Sequence, residues 1–288
     1  MVDTDTDAAP SEEPKKTSRA GRNLPAAIAV GAFLGFSVIA ILLFAPRVWV
    51  GVVAVAMIVA TLEVVRRLRE GGFAIPIVPL LVGGQAMIWL TWPFGAAGAL
   101  GGFGATVVLC LIWRLLSGGL KAAPSNYLRD VSVTVFLAAW IPLFGAFGVL
   151  LIYPEDGAGR VFCLMLGVVA SDVGGYAAGV LFGKHPMAPA ISPKKSWEGL
   201  AGSLVLGIGV SALAVEFLLD KPAWVGIPLG IMLVITGTLG DLVESQVKRD
   251  LGIKDMGTLL PGHGGLMDRL DSVLPSAVAT WIVLTLLT

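Results

Sequence analysis

Apolar stretches of about 20 residues follow one another from Leu24 to Thr288, and they decide what the chain can fold into. Each is long enough to cross the hydrocarbon of a bilayer once as an α-helix. Inside lipid only helices and closed barrels satisfy their own backbone groups, and these runs are far longer than barrel strands. Composition agrees: 56% of the 288 residues are hydrophobic and 14% are charged, against roughly 25% charged in soluble domains. The expected fold is an all-α integral membrane protein, a polytopic bundle of about nine transmembrane helices. The nine spans fall near 24–45, 48–65, 73–92, 96–116, 130–152, 161–182, 199–219, 223–243 and 272–288. Glycine is abundant (37 residues) and scattered through these runs, which suits close approach of helices in lipid. Cys110 and Cys163 each lie inside an apolar run and form neither a zinc pattern nor a disulfide framework.

Residues 1–23 are acidic, then basic, and lack apolar periodicity; they read as a disordered cytoplasmic tail, leaving 24–288 as one membrane domain. Acids precede the basic residues and no cleavage site follows a short apolar core, so a signal peptide is not expected. Net charge is zero and argues for no particular partner; a nucleic-acid partner is not expected. The distribution of cations is more telling. With the N-terminus inside, seventeen Lys and Arg fall on the inner side and three (Arg47, Arg160 and Lys221) on the outer. This predicts a multi-pass protein of the cell's inner (plasma) membrane, with both long polar loops, 183–198 and 244–271, facing the cytoplasm.

Those loops carry the candidate chemistry. Asp172 lies deep in the sixth run within "SDVGGYAAG", where a carboxylate is costly and usually serves a polar cavity or a partner. On a continuing eighth helix, Asp241, Glu244, Ser245 and Lys248 form one polar stripe. After the turn "PGHGG", which contains His263, Gly264 and Gly265, Asp268 and Asp271 sit three residues apart at the start of the last run. Carboxylates there, with Asp241, suit a hard divalent cation such as Mg²⁺, with room for a second cation. Complementing a helix N-terminus is the plainer explanation for Asp271. Glu63 and Glu216 lie nearer span ends and read as structural. The loop "ISPKKSWEG" sets Ser192, Lys194, Lys195, Ser196 and Glu198 before the seventh run, a plausible anion cradle. No GxxxxGK[ST] loop is present. Acids for a cation, basic residues for polyphosphate and membrane depth for a lipid tail together suggest phosphoryl or nucleotidyl transfer onto a lipid headgroup.

The segment "SQVKRDLGIKDMGTLLPGHGGLMDRLDS" (245–272) resembles the signature of the phosphatidate cytidylyltransferases, also called CDP-diacylglycerol synthases. Ser245, Lys248, Arg249, Lys254, Asp255, Pro261, His263, Gly264, Gly265, Asp268, Arg269 and Asp271 occupy its fixed positions. "SDVGGYAAGVLFGKH" and "ISPKKSWEG" are similar to the family's two upstream motifs, so the resemblance covers about 171–272. It implies CTP and phosphatidate as substrates, CDP-diacylglycerol and pyrophosphate as products, and a homodimer as a conceivable assembly. It also implies roles: Asp241 and Asp268 as principal Mg²⁺ ligands with Asp271 and Asp172 as lesser ones, Ser192, Lys194, Lys195 and Ser196 on CTP phosphates, and Lys248, Arg249 and Arg269 on phosphatidate or the leaving group. Glu198, Lys254 and Asp255 are expected at the substrate site, and His263 with its glycines would shape the pocket. The residues alone leave two alternatives open: a CTP-dependent polyisoprenol kinase, and a transporter built around Asp172.

Overall fold

A computed structural model of the chain describes residues 24–121, 123, 125–259 and 264–288. It is a helical bundle. In chain order the elements are α1 (Leu24–Phe44), α2 (Val48–Glu70), α3 (Ile77–Trp89), α4 (Thr91–Ser117), α5 (Tyr127–Ala138), α6 (Phe144–Leu150), α7 (Gly157–Phe182), β1 (Pro186–Ala188), β2 (Ser192–Ser196), α8 (Trp197–Leu219), α9 (Gly226–Asp250), α10 (Met267–Leu270) and α11 (Val273–Leu287). Among the described residues seven helical segments are long and apolar enough to cross a membrane, and two shorter apolar helices, Gly31–Phe44 and Ile77–Trp89, accompany them. The protein is a multi-pass membrane protein, and these segments correspond to the nine apolar runs. The proposed disordered tail, 1–23, lies outside the described residues.

Where boundaries differ from the sequence reading, local chemistry explains the shift. The third and fourth runs form an antiparallel hairpin. Leu90 carries the helix of α3 on into α4, and the chain reverses inside α4 at Gly95, whose φ of 55° and ψ of −141° suit only glycine. Gly102 then packs on Met87 and Gly83 on Thr106 across the hairpin. The fifth run, α5–α6, is continuous but opens into a π-helical turn over Ala139–Leu143, where Pro142 lacks a backbone N–H. Helices α2 and α9 run beyond the expected ends, because ion pairs within each helix (Arg66 and Arg67 with Glu70, Lys248 with Glu244) support the extra turns. At about 1.5 Å per residue, α9 reaches past the roughly 30 Å of bilayer hydrocarbon.

One non-helical feature was not anticipated. Residues 186–196 fold as a two-stranded antiparallel hairpin, with Pro186 opposite Ser196 and Ala188 opposite Ser192.

In lipid there is little hydrophobic drive between helices, so close backbone approach must hold them. The antiparallel α7–α8 seam is built that way: Gly174 and Gly175 face Gly202 and Ser203, and the Ser203 hydroxyl donates to the Ser171 carbonyl at 2.7 Å. Helix α8 meets α9 through Gly207 and Gly230, and α9 meets α11 through Gly237 and Gly240. α11 in turn packs on α6 and α7, joining this half of the bundle to the α2–α6 half.

Two glycines on α8 test the role of the seam. A Cβ on Gly202 would collide with Ala178 and the Gly174 carbonyl, whereas Gly209 has open space around it. Gly202→Ala is expected to cost about 1–3 kcal/mol, the usual penalty of overpacking. Gly209→Ala should be neutral or slightly stabilising. Thermal unfolding of both variants in one detergent checks the difference.

Candidate active site

The polar helix ends of α7, α8, α9 and α10 converge with the β-hairpin around a cavity of about 480 Å³. Chain geometry explains the convergence. The α7–α8 hairpin carries Asp172 at its seam and ends in the strand bearing Ser192, Lys194 and Lys195. α9 brings Asp241 and Lys248 alongside, and the return through α10 adds Asp268, Arg269 and Asp271. All of these side chains line the one cavity, as do Ser196 and Asp255. The two polar loops therefore meet at the same end of the bundle.

Ion pairs organise the space. The Lys195 ammonium lies 2.6 Å from an Asp241 carboxylate oxygen and 3.3 Å from the Thr238 carbonyl, tying the hairpin to α9. Ser245 donates to the other Asp241 oxygen at 3.3 Å. Lys248 bridges Glu244 at 2.5 Å and Asp268 at 3.0 Å. Asp268 also accepts the backbone N–H groups of Met256 and Gly265, at 3.0 and 2.8 Å. Asp268 thus ties Met256 to Gly265, and Gly264, at φ 86°, lies beside its carboxylate. Asp271 accepts the Ser272 N–H at 2.7 Å.

Several expected site residues stand elsewhere. Glu198 accepts the backbone N–H groups of Lys184 and His185 and lies 2.5 Å from His185 Nδ1, so it braces the hairpin instead of facing the cavity. Arg249 donates from Nε to the Ile191 carbonyl at 3.3 Å, outside the cavity. Lys254 is exposed beside Asp255 and does not line the cavity. Gly264 and Gly265 act through Asp268, and His263 lies outside the described residues.

Two residues were passed over in the sequence. Glu244 was read as one member of a polar stripe, yet it is fully buried (0% exposed) beneath Lys248. Glu63, read as structural near the end of α2, accepts the Met267 N–H at 3.0 Å and packs against Gly257 and Gly265. The signal was there in part: an acid followed by the apolar pair Val64–Val65, within a helix that continues to Glu70, need not be at a water-exposed end. Arg67, one turn on, donates to the Met256 carbonyl at 3.0 Å. Helix α2, far from the signature in sequence, therefore holds the signature loop from below.

The cavity suits a hard cation in kind. Asp172, Asp241, Asp255, Asp268 and Asp271 face four cationic side chains, Lys194, Lys195, Lys248 and Arg269. Asp241 repels both Asp172 and Asp271 across the space. Among the described residues no three potential ligands come together as a ready-made metal cage. Mg²⁺ does not need one, since it is commonly held by one or two carboxylates plus substrate phosphates and water. Asp241, paired with Lys195, and Asp268, paired with Lys248, line this space together with Asp172 and Asp271, and these are the carboxylates that could take a cation.

Residues 25–287 match the model of a family described as the cytidylyltransferase family. The match reaches the early spans as well as the signature segment. The chain is similar to proteins named phosphatidate cytidylyltransferase. It is 64% identical over 295 residues to that of Mycobacterium bovis, covering 96% of each chain. It is 66% identical over 284 residues to that of Mycobacterium leprae, covering 95% of this chain and 91% of the relative. Identity to that of Staphylococcus haemolyticus is 30% over 244 residues, covering 83% of this chain and 92% of the relative.

The Lys248 bridge generates a stability prediction. Lys248→Met leaves Glu244 buried beside Asp268 with no counter-charge, at an expected cost of about 3–5 kcal/mol. Adding Glu244→Gln removes one of the two carboxylates left without a cation and should recover part of that loss. Unfolding midpoints of the single and double variants, measured together, check the order.

Proposed function

The chain belongs to the cytidylyltransferase family and is a nucleotidyltransferase, and from that premise we propose that it joins CTP to phosphatidate, releasing pyrophosphate and leaving CDP-diacylglycerol in the membrane. One observation carries the reading. A single cavity gathers lysines, an arginine and aspartates at the polar end of a lipid-embedded bundle, and its wall at the α7–α8 seam includes Tyr176 and Leu200. A water-borne nucleotide and a membrane-held acid can meet there.

The chemistry follows from charge. A phosphate oxygen of phosphatidate attacks the α-phosphorus of CTP, the bond from that phosphorus to the bridging oxygen breaks, and pyrophosphate departs. The attacking phosphate is already an anion at neutral pH, so no base is required. The demands are neutralisation of crowded negative charge and in-line positioning. In this reading Lys194 and Lys195, with Ser192 and Ser196, receive the CTP phosphates. Lys195 exchanges its partner Asp241 for a phosphate oxygen, which frees that carboxylate. Lys248 and Arg269 hold the phosphatidate headgroup or the leaving group. Asp241 and Asp268, with Asp172 and Asp271 as lesser contributors, would hold Mg²⁺, which supplies charge neutralisation on the phosphates when bound. Asp268 keeps the loop closed and Lys248 aimed. Arg249 and Glu198 steady the hairpin from behind. Lys254 and Asp255 stand at the rim, and His263 is assigned to shaping the pocket. The lopsided distribution of Lys and Arg supports a cytoplasmic cavity in the plasma membrane, with the N-terminus inside.

Purified protein given phosphatidate, Mg²⁺ and CTP labelled at the α-phosphorus should transfer label to the lipid fraction. Label appearing only when the γ-phosphorus carries it would mean kinase chemistry and overturn the reading. Asp241→Asn is expected to lower turnover by roughly 10²-fold or more while the protein elutes unchanged from gel filtration. Chelation should stop the reaction, and added Mg²⁺ should restore it.

A further inference from the structure

A second cavity, of about 550 Å³, lies between the α2–α3 connection and the end of α4, and the reaction proposed above makes no use of it. Its wall includes Arg69, Phe73, Trp113, Arg114 and Ser117. The charge around it is unbalanced. Arg114 and Arg129 share one carboxylate, the buried Asp130, at 2.9 and 3.1 Å. Arg129 also stacks on the Phe73 ring, 4.4 Å from its centroid, and donates to the Gly72 carbonyl at 2.6 Å. Arg69 has no acidic partner among the described residues; its guanidinium is anchored by the Ile75 carbonyl at 2.8 Å. Two guanidinium groups, Arg69 and Arg114, therefore line the space, and the one carboxylate beside them, Asp130, is shared between Arg114 and Arg129.

The geometry points to a headgroup site for an anionic membrane phospholipid, held by Arg69 and Arg114 through its phosphate. Guanidinium groups match phosphate oxygens with paired N–H donors, and here they are already held in place by backbone carbonyls and by Asp130. The depth is right, since Arg69 and Arg114 stand in the last turns of two membrane-crossing helices. Trp113, half exposed beside them, is a residue type that favours the headgroup level. Below it, Leu109, Ile112 and Leu116 expose an apolar face of α4 along which acyl chains can lie. A basic pocket between helix ends is the usual form of an anionic-lipid site. A zwitterionic lipid would bring its own ammonium against the arginines and is disfavoured. The site is on the same face as the catalytic cavity: Arg67, two residues before Arg69, holds the carbonyl of Met256, whose N–H is bound by Asp268. The inference is independent of which lipid is the substrate.

The test is native mass spectrometry of the full-length protein from mixed micelles holding equal amounts of phosphatidylglycerol and phosphatidylcholine with identical acyl chains. Wild type should retain phosphatidylglycerol selectively, and the selectivity should fall as salt rises. Arg69→Gln should lower that retention about fivefold. Arg69→Lys, which keeps the charge, should lose less. Arg66→Gln, at an exposed position paired with Glu70, should behave as wild type. Absence of selectivity in the wild type overturns the proposal without any variant. So does retention that survives Arg69→Gln but falls with Lys195→Ala, because the lipid would then sit in the catalytic cavity. Displacement by millimolar inorganic phosphate as effective as by added phosphatidylglycerol would assign the site to a free anion instead.

Discussion

Lys248 stands between two carboxylates that could not otherwise be where they are. Glu244 is fully buried and Asp268 nearly so, and the ammonium lies within 3.0 Å of both. Removing such groups from water is unfavourable unless charge and hydrogen bonds compensate. Here the compensation runs outward: Asp268 takes up the N–H groups of Met256 and Gly265, Arg67 takes the Met256 carbonyl, and Glu63 takes the Met267 N–H. One cation thus joins α9 to α10, and the loop it closes is held from beneath by α2. On another wall of the cavity, Lys195 of the hairpin pairs with Asp241 of α9.

The network can form only because the helices that carry it lie very close together. Glycine and serine along α7, α8, α9 and α11 allow backbone contact, which sets the axial offset of each helix against the next. Asp172 of α7, Asp241 of α9 and Asp271 between α10 and α11 face one cavity because those offsets bring their levels together. Close packing between helices sets position and rotation; the ion pairs then tie the connecting segments to the helices.

Much of this was legible in the chain. The nine runs correspond to helical segments, including the reversal between the third and fourth, because hydropathy over 20 residues and a glycine at a turn are local signals. The signature segment and the hairpin lysines pointed to one polar end. Less legible were the partners. Glu198 lies in the motif and looks like a ligand, yet backbone N–H groups of its own loop claim it. Asp268 stands in the signature as a candidate metal ligand, and that spacing does not show that it also binds the Met256 and Gly265 N–H groups. Glu63 looks like an exposed end residue, yet it supports a loop 204 positions away in sequence. In each case the deciding neighbour is distant or is a backbone group, and neither appears in a residue pattern.

Sequence alone settled that this protein is a membrane-embedded helical bundle, and that its ionisable groups cluster in the segments joining the later helices. Transfer into lipid is a property of each run by itself, so composition is enough to decide it. Which acid faces the cavity and which is buried was left to the tertiary structure. Asp241 and Glu244 are neighbours on one helix, but one lines the cavity and the other sits in the core. A residue advances a helix by about 100°, so a small rotation about its axis exchanges those roles. That rotation is set by packing against α8, α11 and the α10 turn, and only the assembled bundle contains it.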